Sequence, residues 1–435
     1  MKQKLFIRDF ILLIIGQASS LIGNYTLRFA LSMYVLERTG SASVFAGLLA
    51  LAMLPTILLS PFGGILADRA NRRNIMVALD ALSGFFVGVA GVAMAWGRDI
   101  FVIGVLLVAL SVLGAFESPT VQACVPQMLS GENIIKGNAV VNQVASIASL
   151  VTPFLGSGFY TAFGIQPVFY GAAACFFVTA LLECFIRLGY KRPVYKMKIG
   201  AAIKEDFSVS IRFLRREQPG ILKLLFLAAL VSLFVAGTAV VGFPYLVRTV
   251  LGLSAGHYGA AESAMGAAAV LGSLCVALLA DRLRLRVLSA VFAGFGVCLI
   301  PCGIVFILPA DTFVRYLTLL VMFCICQLGC SFFSTYAISV IQERTPAYLM
   351  GKVMSYVFTL AMCAQPVGQI VYGILFDCFS GGVYWVLIPS GLIVFAVGLA
   401  SGGFFRRLEK SPLAGGGRAG ETERRTAELP VEKDI

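Results

Sequence analysis

The chain has 435 residues, of which 59% are hydrophobic and only 13% charged, far more apolar than a water-soluble domain of this length needs. Its formal charge of +12 calls for no nucleic acid, because a cationic face beside anionic lipid headgroups is an ordinary result of membrane topology. The apolar runs are continuous rather than alternating, which excludes a membrane β-barrel.

Crossing a hydrocarbon core of about 30 Å takes about 20 apolar helical residues. In chain order such stretches fall at residues 10–36, 43–67, 75–96, 100–127, 138–163 and 166–188, and then at 221–248, 257–280, 287–308, 313–341, 352–377 and 383–405. They predict an all-α polytopic membrane protein with 12 transmembrane helices. The first stretch follows Lys2, Lys4 and Arg8 and passes Ala18-Ser19-Ser20 in the manner of a secretory leader. Its apolar register continues to Val35, so we expect a retained span.

Threading the spans puts Lys2, Lys4, Arg8, Arg69, Arg72, Arg73, Lys136, the basic stretch 187–223, Arg282, Arg284, Arg286, Arg344, Lys352 and the tail on one side. The other side receives Arg38, Arg98, Arg248 and Arg315. That asymmetry predicts cytoplasmic termini and a multi-pass location in the inner membrane.

The sequence repeats itself. Residues 64–73, from Gly64 to Arg73 and centred on Asp68-Arg69, recur as residues 277–286 around Asp281-Arg282. The offset, 281 less 68, is 213 residues, and the same offset carries Pro153 onto Pro366. Two unrelated landmarks sharing one offset predict duplicated, pseudo-symmetric six-helix bundles. We therefore divide the chain into a first bundle at 1–188, a cytoplasmic linker at 189–220, a second bundle at 221–407 and a disordered tail at 408–435. In the linker Ile203, Phe207, Ile211 and Leu214 fall at helical spacing among Lys204, Arg212, Arg215 and Arg216, the pattern of an interfacial amphipathic helix. The tail is rich in Gly and charge, which predicts disorder.

The stretch Gly64, Asp68, Arg69, Arg72 and Arg73 between the second and third spans resembles the signature loop of the major facilitator superfamily, with Asn71 where Gly is usual. Within it, Glu117-Ser118-Pro119, then Ala123-Cys124-Val125-Pro126-Gln127, and the Gly-rich stretch from Gly256 to Gly272 are similar to the bacterial branch of macrolide-efflux and siderophore-export permeases. The resemblance implies alternating access, and it implies that Asp68 and Asp281 clasp the two bundles together, Asp68 at the start of the eleventh span near Lys352 and Asp281 at the start of the fifth near Asn138. A carboxylate at a helix start is favoured by about 0.3–2 kcal/mol. Two features depart from the antiporter pattern: span five reads Thr152-Pro153-Phe154-Leu155-Gly156-Ser157, and Arg98 sits at the end of span four rather than inside it. Proton antiport thus follows from the kinship rather than from a motif.

Charges at bilayer depth cost at least about 2.5 kcal/mol each, so each needs a partner, a cavity or a function. In span one Gln17, Ser20, Asn24, Arg28 and Ser32 recur at three- and four-residue spacing and form one polar stripe, lining a central cavity or bonding neighbouring helices. Glu117 beside Pro119, and Asp80 at similar depth in span three, are the proton-coupling candidates. Glu117 has the alternative role of a fixed anion recognising a cationic drug, and Asp80 that of bracing the nearby basic loop. Arg28 lies about 10–15 Å from Glu117 in depth, too far for a direct bridge without helix tilt. Glu183 pairs with Arg187 one turn on, Glu262 and Asp377 near span ends reach headgroup water, and His257 is a solvated loop residue. Phe243 with Tyr245 in span seven, and Phe332, Phe333 and Tyr336 in span ten, are either a wall for a bulky amphipathic substrate or packing groups.

The function expected is ion-gradient-driven, most simply proton-driven, efflux of hydrophobic or amphipathic compounds such as macrolide-like drugs. The alternatives are uptake of a small nutrient on the same fold and, more distantly, a non-transporting membrane scaffold. The one histidine in the chain provides no zinc pair, and neither a nucleophile elbow nor a phosphate-binding loop occurs, so we expect no enzyme, no ATP-driven pump and no metal or cofactor. The partners expected are a small-molecule substrate, protons or another coupling ion, and the bilayer, with the chain acting as a monomer.

Overall fold

The computed structural model describes residues 5–188, 219–279, 283–345 and 350–410. They form twelve helices long and apolar enough to cross a membrane: α1 (Arg8–Thr39), α2 (Ala42–Arg69), α3 (Arg72–Ala93), α4 (Asp99–Met128), α5 (Glu132–Phe163), α6 (Ile165–Cys184), α7 (Gly220–Val250), α8 (Ala255–Leu279), α9 (Val287–Ile307), α10 (Thr312–Arg344), α11 (Met350–Cys378) and α12 (Tyr384–Lys410). The breaks between them follow from local chemistry. Gly40 ends α1 in a left-handed conformation at φ 61°, and one residue on the Ser41 side chain caps the Val44 amide to start α2. Asn71, where the signature loop usually has Gly, caps α3 by accepting from the Arg73 amide. Pro244 leaves α7 short of a backbone donor, and around it the helix widens into π-turns at Ala236–Gly242 and Leu246–Val250.

Helix packing repeats with a shift of six. The pairs α1–α5, α2–α4, α3–α4 and α3–α6 have counterparts in α7–α11, α8–α10, α9–α10 and α9–α12. The most extensive packing between the repeats is of α2 with α11 and of α5 with α8, and the π-turns of α7 also touch α1 and α2. Twelve passes bring the chain back to the face on which α1 starts, the terminal face; the connections after α1, α3, α5, α7, α9 and α11 lie on the opposite, far face. The linker at 189–218, Asp281 and Arg282, and the tail beyond residue 410 lie outside the described residues.

On the far face the two repeats are joined by polar contacts. Asp377, at the end of α11, accepts hydrogen bonds from the Ser41 hydroxyl at 2.6 Å and from the Ala42 and Ser43 amides at 2.7 and 2.9 Å. These amides open α2 and have no partner within their own helix, so a carboxylate from the other repeat caps them. Asp377 lies at a span end and part-exposed, as expected, but its oxygens are taken up by the start of α2. Nearby, Arg248 of α7 pairs with Glu37 of α1, which also accepts from the Tyr160 hydroxyl at 2.6 Å. Gly373 permits the crossing of α2 and α11, since a Cβ there would stand 2.6 Å from that of Ala46.

Candidate functional site

Three helices of the first repeat bring carboxyls together beside a hydroxyl from a fourth. Ser20 Oγ of α1 lies 3.0 Å from Asp80 Oδ1 of α3 and 3.4 Å from Glu117 Oε1 of α4. Glu183 of α6 completes the nest beside Asp80 and Glu117, and the Gln17 amide adjoins Glu117. Asp80 and Glu183 are 0% exposed. Asp80 Oδ2, both Glu183 oxygens and Gln17 Nε2 lack a partner of full hydrogen-bond geometry. A serine has one hydrogen to donate and two lone pairs with which to accept. It can therefore donate to one carboxylate while holding the second only if that second carboxyl carries a proton of its own.

Glu183 was expected to pair with Arg187, and that reading is corrected. The helix stops at Cys184, so Arg187 is no longer one turn along a helical face, and its amide meets Asp9 instead. Thr179 and Glu183, four residues apart on α6, pack against Gly16 of α1, which turns Glu183 into the bundle.

The polar stripe of α1 divides by depth. Its first part, Gln17 and Ser20, faces the carboxyls; its second part, Arg28 and Ser32, faces a space between the repeats. Two adjoining cavities of about 450 and about 600 Å³ share Ser32, Phe45, Leu49 and Val240 in their walls. Arg28, Thr56, Ser111, Gln365 and Gln369 give polarity to the first. Tyr258, Glu262, Ser146, Ser149, Gln327 and Ser331 do so for the second. Asn24 stands behind, accepting from Arg28 Nε at 2.7 Å. Neither Glu117 nor Gln17 lines these cavities.

Glu262 was not singled out by sequence as a site residue, and its expected position in headgroup water is corrected. It stands seven residues into α8, about 10 Å along the helix, in the cavity wall. A signal existed: the 213-residue offset maps Tyr258 and Glu262 onto Phe45 and Leu49, and all four line the same cavity. Of the two readings of the aromatic residues, a substrate wall or packing groups, the contacts favour packing. Phe243 is 0% exposed and packs on Phe323 with ring centres 4.9 Å apart; Phe333 packs on Phe292 at 6.2 Å, and Phe332 on Tyr336 at 6.3 Å, whose hydroxyl bonds the Leu283 carbonyl. Phe243, Phe332 and Phe333 are buried, Tyr336 packs part-exposed against the core, and none of the four lines either cavity. His257 is not merely solvated: its Nδ1 is 2.8 Å from Ser254 Oγ, and its carbonyl accepts from Tyr316.

The signature loop ties helices together through its basic end. Arg72 reaches the Ala123 carbonyl of α4 at 2.7 Å, and Arg73 reaches the carbonyl of Cys184 at the close of α6, which has no acceptor role left within its helix. The side chains of Gly64's neighbours Asp68 and Arg69, and residues Asp281 and Arg282, lie outside the described residues, as does the side chain of Lys352.

Comparison with known proteins agrees with this architecture. Macrolide efflux protein A of Streptococcus pyogenes is 24% identical over 393 residues, covering 87% of this chain and 92% of that protein. The multidrug efflux pump Tap of Mycobacterium tuberculosis is 25% identical over 382 residues, covering 84% and 86%. Among solved structures, a bacterial homologue of the iron transporter ferroportin in an inward-facing state superposes with a TM-score of 0.69 at 18% identity, over 92% of this chain and 100% of that one. The sequence model of the Major Facilitator Superfamily matches residues 13–365, and with twelve helices in the matching arrangement this chain belongs to that superfamily of membrane transporters.

Proposed function

We propose that this transporter exports hydrophobic or amphipathic compounds, macrolide-like compounds among them, by alternating access driven by the proton gradient. The observation that carries the coupling ion is the Ser20 hydroxyl within hydrogen-bond distance of both Asp80 and Glu117. Such a site is satisfied in one way with a proton on a carboxyl and in another without it, which makes it sensitive to proton loading. The direction of transport is supported by the efflux proteins to which the chain is similar.

In this reading the arginine and lysine bias puts the terminal face in the cytoplasm of a bacterial inner membrane. The far-face clasps then close the outer side, and the cavity of Arg28 and Glu262 loads substrate from within. The bundles 1–188 and 221–407 rock about that cavity, with Asp68 and Asp281 as the opposing clasps on the cytoplasmic side. The same reading makes the chain a functional monomer.

The test is transport in everted vesicles at matched expression. Glu117→Gln and Asp80→Asn are expected to reduce gradient-driven uptake of a macrolide at least tenfold while substrate binding survives or loses its dependence on pH. Wild-type rates across the pH range in both variants would remove protons from the mechanism at this site. Single cysteines at Arg98 and Lys204 in a cysteine-free background report the topology, because labelling of Lys204→Cys from outside intact cells would reverse it.

A further inference from the structure

The second cavity contains one charge that the coupling mechanism does not use. Among the described residues that line it, Glu262 is the ionisable group of negative charge, and its Oε2 is buried with no hydrogen-bond partner. Its neighbour one turn earlier, Tyr258, lies with its hydroxyl beside the carboxyl. The Tyr258 ring is itself held on both sides, stacked on Phe29 of α1 at 5.4 Å and packed on Phe243 of α7 at 6.0 Å. Glu262 therefore has a fixed support and an open valence in a cavity of about 600 Å³, large enough for a drug-sized molecule.

The surroundings favour one kind of ligand. Phe45, Leu49, Leu150, Val240 and Met265 give apolar and aromatic area, while Ser146, Ser149, Gln327 and Ser331 offer neutral hydrogen bonds. Arg28 stands in the adjoining cavity across the shared wall. A cation is repelled from the Arg28 end and drawn to the Glu262 end, so the two charges orient an amphipathic molecule with its cationic group toward α8. We propose that Glu262 is the counter-charge for organic cations in this transporter, and that the cavity takes amphipathic amines and quaternary cations in preference to neutral analogues of the same shape. The proposal deepens the efflux reading and rests on it only for the consequence that such cations are exported. Because Tyr258 bridges α8 to α1, a cation drawn to Glu262 also acts where the two repeats touch.

The test compares a matched pair of probes on purified protein in lipid nanodiscs: a macrolide bearing a tertiary amine, and the same macrolide with that nitrogen converted to an uncharged amide. Wild type is expected to bind the amine about tenfold or more tightly than the amide, the range of a charge-assisted contact. Glu262→Gln is expected to erase that preference by weakening the amine alone, and Glu262→Asp, which keeps the charge, to retain most of it. Equal loss of both probes in Glu262→Gln, no loss of either, or failure of wild type to prefer the amine each overturn the proposal. Binding is read without a gradient, so the two readings fail separately. Cation-selective binding that depends on Glu262 in a protein that moves nothing would break the efflux reading alone, and efflux of both probes by Glu262→Gln at wild-type rates would break only this one.

Discussion

The two repeats share a helix arrangement and differ in what they bury. Under the 213-residue offset, Ser20 corresponds to Leu233, Asp80 to Ala293, Glu117 to Cys330 and Glu183 to Ala396. The first repeat thus gathers three carboxyls, two of them at one hydroxyl, while the second repeat packs Phe292, Phe295, Phe333 and their neighbours into its core. At the cavity the asymmetry runs the other way, with Phe45 and Leu49 on α2 facing their mates Tyr258 and Glu262 on α8. Alternation between two faces needs both bundles as rigid bodies. Ionisable chemistry at depth is costly, and each of these named groups stands in one repeat only.

The sharpest way to break this comparison is to give the second repeat what the first one has. Ala293 packs against Gly398 of α12 and is 6% exposed, with no hydroxyl at Leu233 to receive a carboxyl. Ala293→Asp is expected to cost at least about 3 kcal/mol, the scale of an uncompensated buried charge, and to abolish recovery of monodisperse protein. Normal yield and melting temperature would show that both cores tolerate charge and that the asymmetry carries no functional meaning.

A smaller effect is expected inside the nest itself. Ser20→Ala leaves Asp80 and Glu117 without their shared donor, at about 1–3 kcal/mol, yet touches neither cavity. Gradient-driven transport is expected to fall about tenfold, which 1.4 kcal/mol would produce, with substrate affinity in nanodiscs unchanged. A parallel drop in affinity would mean that the nest belongs to the binding site after all.

Much of this was legible in the chain because the bilayer imposes length and apolarity, and those are sequence properties. The twelve spans followed from them, and the divisions at Gly164 and at Arg98 fall between helices. Glu117 and Asp80 stood out because a charge inside an apolar run is conspicuous. Glu183 and Glu262 did not, since each lies within a few residues of a predicted helix end, where water is the default partner. Sequence gives depth along a helix; which neighbouring helix a side chain faces depends on rotation and tilt, and these are set by packing such as Gly16 against Thr179. The same gap explains Phe243 and Phe333, aromatic residues at plausible depth that turn into the core rather than the cavity.

The smallest effect is expected at the far-face clasp. Among the described residues, Asp377 is the carboxylate of the second repeat that caps a helix of the first, through three hydrogen bonds. Asp377→Asn keeps the side-chain shape but removes the charge that strengthens those bonds and turns an amide NH₂ toward backbone donors. Charge-assisted bonds are roughly twice as strong as neutral ones, so the closed far face loses about 1 kcal/mol, less than a full contact because water replaces part of it. The protein stays folded, since α2 and α11 still cross at Ala46 and Gly373. What changes is the balance between states, by about fivefold toward far-face opening. Spin labels on cysteines at Arg98 and Asp311, both exposed on the far face and one in each repeat, read this as a longer-distance population that grows in the variant. If the distance distribution and the transport rate both match wild type, the Asp377 cap is a fixed helix terminus that does not distinguish the two states, and the hold on the far face must come from Arg248 and Glu37 instead.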